Sequence, residues 1–252
     1  MKRLLDMVSF KKKFYLFKVT DTWFRYRPGL KNLFSLQSYS FVQNPELIGK
    51  ANCIKSTSYT VELPLTADME TIVANFRKTV TQEIRKAEAE GIVCVFKDDL
   101  DTFVPFFNEF ASLKKIYPAK REMLEGIGKN FITSFAYMGE DLIVAHSYIV
   151  DKEFGVARLF QSASKRLDEK FDRKLIGMAN KLLTAKDIGY FKEQGYKMMD
   201  FGGYAENTED KSLKGINDFK LSFGGQKSAC TNYNSIPYYI LRKISEKLDR
   251  RY

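Results

Sequence analysis

Apolar positions follow two periods along this chain. From Leu36 to Val42, and again from Ala51 to Leu63 where Tyr59, Val61 and Leu63 alternate with polar neighbours, the period is two; this predicts two strands, the second ended by Pro64. Over 66–90 the period lengthens. Phe76, Val80, Ile84 and Ala87 recur at spacings of 4, 4 and 3, the core-facing stripe of one helix with Thr66 as its cap, Glu70 in its first turn and Gly91 just past its end. Arg77, Lys78, Arg85 and Lys86 fall on the opposite face, where solvated charge is the ordinary reading of each. Ile92 to Phe96 is a short apolar run and predicts a buried strand.

A helix over 100–117, starting at Asp99 or Asp101, turns Val104, Phe107 and Phe110 inward, and a short helix over 120–128 follows Pro118. Three strands come next, Phe131 to Met138, Leu142 to Val150 and Val156 to Ser162, the first two joined by the hairpin signal Gly139-Glu140-Asp141. A helix over 172–191 points Leu175, Ala179, Leu182 and Leu183 inward, and Gly195 closes it. Tyr196 to Phe201 is a strand that runs into Gly202-Gly203. Ile216, Phe219 and Phe223 then mark one face of a short helix stopped by Gly224-Gly225. Ile240, Ile244 and Leu248 mark a last helix over 237–250. The first 31 residues mix bases with Leu4, Leu5, Phe10, Phe14, Phe17, Trp23, Phe24 and Tyr26. They fit either an interfacial segment or a first element packed on the body, and packing is slightly favoured.

This order, with strands and helices alternating irregularly, predicts an α/β (α+β) fold with a mixed sheet flanked by helices. Its 252 residues suffice for one large domain or two small ones, and 44% hydrophobic and 14% aromatic content is enough for a substantial core. Charge changes the picture only at the ends. Residues 1–31 carry nine Lys and Arg against Asp6 and Asp21, and residues 242–251 carry five against Glu246 and Asp249, so the net charge of +10 sits at the termini around a neutral body. Basic ends fit an anionic membrane surface, tRNA or a pyrophosphate-linked lipid, or else they are solubilising charge. Cys53, Cys94 and Cys230 are odd in number and have no CxxC spacing, which predicts reduced core thiols in a cytoplasmic protein. No window approaches 18 consecutive apolar residues, and Lys11-Lys12-Lys13 interrupts any signal-peptide core.

Elimination narrows the chemistry. One histidine, His146, lies inside a predicted strand, so a multi-histidine metal site is excluded and a packed strand residue is expected; mixed Cys/His zinc spacing is absent, and no metal is predicted. There is no G-x-S-x-G, no G-x-x-x-x-G-K-[ST] and no G-x-G-x-x-G. Lys174-Leu175-Ile176-Gly177-Met178-Ala179 is a weak match to an acyl-CoA pyrophosphate cradle. On that reading Lys174, Gly177 and Ala179 bind cofactor, but an ordinary helix in which Gly177 permits close packing is favoured.

One stretch carries a more specific signal. The sequence D-F-G-G at 200–203, a polar spacer, then G-I-x-x-F-K-x-x-F-G-G at 215–225 resembles the closing motif of the FemABX family. I-R-K-A-E-A-E-G-I at 84–92 and I-G-x-A-N at 176–180 also resemble that family's pattern. The resemblance covers roughly 58–230 and is strongest at 172–225. It implies a GNAT-type acyltransferase fold in one complete copy, 98–252, and one abbreviated copy, 1–97. It also implies the family's activity, aminoacyl-tRNA-dependent peptidyl transfer in building peptidoglycan cross-bridges. Two departures stand out: the chain is short, and it lacks a charged helical arm of the kind some members use for tRNA.

What the resemblance implies about residues centres on Lys220, expected near the reacting carbonyl, where its ammonium would stabilise a tetrahedral oxyanion; otherwise it is a surface cation near a helix C-terminus. Phe219 would wall the acyl channel. Asp200 would orient the amine or act as base, or instead cap the next turn. Tyr204, Gly202, Gly203, Asn217 and Arg85 complete the expected substrate-binding set. The predicted enzyme is an acyltransferase forming an amide on an amino group of a cell-envelope precursor. It takes aminoacyl-tRNA as donor, uses no cofactor, and has the inner membrane face as a place of peripheral contact. Two alternatives stay open: an acyl-CoA-dependent N-acyltransferase of an amino sugar or amino acid, and a non-catalytic relative binding anionic lipid or nucleic acid.

Overall fold

The computed structural model describes residues 8–26, 29–43 and 53–249, with side chains through 246. Leu4, Leu5, the start of the run at Ala51, the side chain of Leu248, and Arg250 and Arg251 lie outside the described residues. In chain order the strands are β1 (Ser9–Phe14), β2 (Phe17–Trp23), β3 (Gln37–Val42), β4 (Cys53–Pro64), β5 (Ile92–Phe96), β6 (Phe131–Met138), β7 (Asp141–Asp151), β8 (Val156–Ser164), β9 (Met198–Gly203) and β10 (Gln226–Ser235). The helices are α1 (Met69–Ala74), α2 (Lys78–Ala89), α3 (Leu100–Lys114), α4 (Arg121–Ile127), α5 (Arg173–Glu193), α6 (Lys211–Leu221) and α7 (Ile236–Asp249).

The chain divides into two compact units, residues 1–59 with 229–252, and residues 60–228. The boundary expected at 97 falls inside the second unit, just after β5, because β5 pairs antiparallel with β6 along its whole length.

In the first unit β1 and β2 form an antiparallel hairpin, β3 lies parallel to β2, and β10 pairs antiparallel with β3. Val19, Trp23, Phe24 and Tyr26 are buried, so most of the aromatic N-terminal segment packs as favoured. Tyr26 stacks on Tyr233 at 3.9 Å between ring centroids, which ties the segment to β10.

In the second unit the sheet order is β4-β9-β8-β7-β6-β5, antiparallel except for the parallel β8–β9 pair. Helix α5 joins the parallel pair, as a crossover between parallel strands requires. It packs on β5, β6 and β7 and against α2. Its inner face is Ile176, Ala179, Leu182 and Leu183, one turn of which the sequence placed at Leu175; that residue is half-buried. On α3 the buried residues are Phe103, Phe106 and Phe107, whereas Val104 and Phe110 are only half-buried, so the inward face is rotated from the predicted one.

The helix predicted over 66–90 is broken. Asp68, not Thr66, caps α1 by accepting the Thr71 N–H at 2.7 Å, and the chain turns at 75–77 before α2. No glycine or proline marks this break. The Arg77 N–H instead donates to the Ser222 carbonyl at 2.8 Å, and Phe76 sets its ring edge-on to Phe223 at 5.2 Å. A long-range contact thus overrides the local helical period.

Gly224 sits under the break with φ +79°. A Cβ there would lie 2.9 Å from the Asn75 Cβ and 3.1 Å from its carbonyl oxygen. Gly224→Ala is therefore expected to destabilise the fold by about 1–3 kcal/mol, through positive-φ strain and displacement of the 75–77 turn. Urea denaturation of the variant measures this, and a loss below about 0.5 kcal/mol would contradict the packing described.

Candidate active site

The site is built on β4 from Thr60 on, the start of β8 and the end of β9, residues that all lie in the second unit. Glu62 of β4, Asp200 of β9 and Arg158 of β8 are register partners in a row across three strands. They therefore point to one face of the sheet. Arg158 and Asp200 are buried and form an ion pair through Nη1 and Oδ2. Thr60, buried beside them, receives a hydrogen bond from Arg158 Nη1 at 3.0 Å and contacts Asp200 Oδ1 through its hydroxyl. Asp200 Oδ1 also accepts the Gly202 N–H at 2.8 Å. Burial of charge on this scale is tolerated only when each partner is satisfied, which this network achieves.

The parallel pairing of β8 with β9 stops at the Arg158↔Asp200 rung, although β8 runs on to Ser164 and β9 to Gly203. Gly202, one of the two glycines flagged in the sequence, takes φ +82°. A Cβ there would lie 3.3 Å from the Leu159 carbonyl and 3.9 Å from Lys220 Nζ. Glycine is thus required twice over, for its backbone angle and for the closeness of β8.

Lys220 lies on α6, whose N-terminus is capped by Asp210. The predicted stripe of Ile216, Phe219 and Phe223 is only partly the buried one: Ile216 is 45% exposed, and within α6 it is Asn217 and Lys220 that are buried. Asn217 clamps the loop after β9, its side chain accepting from the Ala205 N–H at 3.1 Å and donating to the Ala205 carbonyl at 2.8 Å. One turn on, Lys220 Nζ donates to the Gly203 carbonyl. Burial first, and the neighbouring Arg158 cation second, push the Lys220 pKa down to about 8, against the pull of Asp200. Burial, with Asp200 adding to it, also raises the Glu62 carboxyl above the usual carboxylate range, although a hydrogen bond with Ser228 opposes this.

The sequence-predicted residues therefore separate. Lys220, Asp200, Gly202 and Gly203 come together. Phe219, on α6 with Lys220, is half-buried against Phe223, just past the helix end, at 5.2 Å. Tyr204 follows Gly203 and lies under Lys227 Nζ, 5.4 Å from its ring centroid. Arg85 is exposed on α2 and takes no part in this network. Asp200 has both oxygens engaged by Arg158, Thr60 and Gly202, so it holds the site together and is not a free base. Lys174, Gly177 and Ala179 lie within α5 and not in a loop. The Lys174 N–H is taken by the capping Asp172 side chain, and Gly177 and Ala179 lie past the first turn, where N–H groups bond within the helix.

Three residues escaped sequence reading: Thr60, Glu62 and Arg158. A signal for Arg158 was present, since an arginine inside the apolar run Val156-Ala157-Arg158-Leu159-Phe160 implies a buried carboxylate partner.

A second buried polar cluster lies under α5. His146 is packed in β7, with Nδ1 2.7 Å from Asp187 Oδ2 and Nε2 2.8 Å from Asn180 Oδ1; Tyr148 donates to the same Asp187 oxygen at 2.6 Å. Its outer nitrogen meets an amide and not a nucleophile, so the cluster is no catalytic triad. Among the described residues no group of three or more His, Cys, Asp and Glu side chains is placed to hold a metal, and no helix is long and apolar enough to cross a membrane.

No protein-family model matches the chain. No curated protein sequence matches it. Solved structures do. FemX aligns over 94% of this chain and 85% of its own at a TM-score of 0.63 and 12% identity. The C-terminal DUF2156 domain of a putative lysylphosphatidylglycerol synthetase from Agrobacterium fabrum aligns over 91% of this chain and 82% of its own, at 0.61 and 9%. L-PGS from Bacillus licheniformis aligns over 88% and 81%, at 0.55 and 9%. The family resemblance read at 200–225 is thus matched by the fold of nearly the whole chain: this protein is a mixed α/β chain folded as FemX is.

Proposed function

We propose that this protein is an acyltransferase that forms an amide on an amino group of a cell-envelope precursor, with aminoacyl-tRNA as donor. The observation that carries the proposal is Lys220, a buried cation at the glycine end of β9 where β8 and β9 part. The fold shared with FemX and with a lysylphosphatidylglycerol synthetase domain supports it, as does the D-F-G-G and F-K-x-x-F-G-G motif that surrounds the lysine.

In this reading the acceptor nitrogen attacks the ester carbonyl of the donor. The C–N bond forms, negative charge gathers on the former carbonyl oxygen, and collapse breaks the ester C–O bond, with the amine's proton passing to the released hydroxyl. Lys220 as an ammonium stabilises the oxyanion, and a charge already stripped of water does so without reorganisation. Asp200 and Arg158 are positioning residues that fix the strand end carrying Gly202 and Gly203. Phe219 and Tyr204 line the approach.

The test is a donor screen by thermal shift, since a ligand bound only to the folded state raises its stability. Charged tRNAs and a panel of acyl-CoAs are compared, and amide product is sought by mass spectrometry. Stabilisation and product with charged tRNA are expected. Stabilisation by an acyl-CoA alone would replace the donor with a thioester and favour acylation of an amino sugar or amino acid.

A further inference from the structure

The β1–β2 hairpin breaks three local rules at once. Its two-residue turn is Tyr15-Leu16, with Tyr15 at φ +51°, where hairpin turns of this length call for Asn, Asp or Gly. Its tip is apolar and in water: Tyr15 is 56% exposed, Leu16 91% and Phe17 47%. Just behind the tip Lys13 and Lys18 are direct cross-strand partners, a like-charge pairing that costs stability. Phe24 also has positive φ, but it is fully buried and packs on Trp23, so packing offsets its strain. Nothing comparable covers Leu16.

Lys11 lies two residues from Lys13, and Lys18 is opposite Lys13, so the three share one face of the hairpin. All three are exposed, and no acidic side chain among the described residues pairs with them; Lys12, on the other face, pairs with Asp21 at 2.6 Å. The hairpin is rigidly based: Val19 and Trp23 are buried below the tip, and the Phe14 ring meets Tyr238 of α7 edge-on at 5.5 Å.

We infer that this hairpin is a membrane anchor, whose Tyr15-Leu16-Phe17 tip enters the interface of an anionic lipid bilayer while Lys11, Lys13 and Lys18 contact the headgroups. An apolar tip flanked on one face by lysines complements such a surface in both chemistries: the side chains leave water, and each lysine near the anionic leaflet adds attraction. The cross-strand repulsion of Lys13 and Lys18 is relieved by the lipid phosphates. The anchor is independent of the reaction proposed above.

Vesicle flotation of the full chain tests it. Strong binding is expected to vesicles containing phosphatidylglycerol and little to phosphatidylcholine alone. Leu16→Ser/Phe17→Ser should weaken binding at least about tenfold, from the apolar burial lost. Lys13→Gln/Lys18→Gln should also weaken it and flatten its salt dependence. Leu16 is too exposed for its replacement to unfold the chain. Leu16→Trp gives a second readout: the one native tryptophan, Trp23, is already buried, so a blue shift on adding anionic vesicles reports insertion of the tip. Equal binding to neutral and anionic vesicles, wild-type flotation of the Leu16→Ser/Phe17→Ser variant, or no shift in Leu16→Trp would overturn the inference. So would loss of tRNA binding, with lipid binding unchanged, in the lysine variant.

Discussion

Arg158→Met is expected to lower the stability of the protein by roughly 3–5 kcal/mol, the largest effect of any single replacement at the site. The reason is what remains behind. Asp200 is 2% exposed, and without Arg158 its carboxylate keeps only the Thr60 hydroxyl and the Gly202 N–H. Strand β8 loses the side chain that joins it to β9 at the last shared rung. The pair itself need not be a net source of stability, because desolvating both charges costs about as much as their attraction returns. Arg158→Met/Asp200→Leu should accordingly recover most of the loss. Urea denaturation of the two single variants and the double variant forms a thermodynamic cycle. Single variants within 1 kcal/mol of wild type would mean that the ion pair does not hold the strand ends.

Lys220→Met should give the opposite result for stability and a severe one for chemistry. The folded pKa of about 8 lies below the ordinary lysine value of 10.5. Between those values the unfolded chain binds more protons than the folded one, so stability rises with pH across that window. The cost of burying the ammonium is fully present below about pH 8 and is gone above the unfolded pKa. Methionine has similar length and no charge, so it removes that cost at neutral pH. A gain of up to about 3 kcal/mol is expected at pH 7, reduced by the lost bond to Gly203. The variant's stability should also lack the wild-type rise above pH 8. Amide formation should fall by about 10²–10³-fold, the scale of removing one oxyanion donor, and wild-type activity should decline as pH rises through about 8 and the ammonium is lost. A variant that is less stable at pH 7 would show that Lys220 is structural. One that is more stable and fully active would remove it from the chemistry.

The gain in stability on removing Lys220 and the loss on removing Arg158 distinguish a charge kept for function from one kept for the fold. Both are buried cations within one network, but only Arg158 has a carboxylate as its direct hydrogen-bonded partner. Sequence reading singled out Lys220 alone. Lys220 stood in a recognisable motif, while Arg158 was one residue in a strand.

The sequence by itself determined most elements from β5 onward and their order, and it pointed to the stretch 200–225. Period-two and helical patterning are local properties, written in neighbouring residues, so strands β6 to β9 and helices α3 and α5 were legible within a few residues. Gly202, Gly224 and Gly225 were legible as well, because positive φ or close approach excludes other residues wherever it occurs; Gly203 meets neither condition. Only the tertiary structure decided the rest. The break at 75–77 depends on Ser222 and Phe223, far along the chain, and no local period encodes it. The face of α6 could not be read from its apolar residues, because its buried positions are polar: Asn217 is satisfied by the Ala205 backbone and Lys220 by Gly203. The row Glu62, Asp200 and Arg158 exists only once three strands distant in sequence take one register. Register is a long-range choice made by the whole sheet, and it gave Asp200, expected to orient the amine, act as base or cap the next turn, an arginine partner beside the Gly202 N–H that it caps.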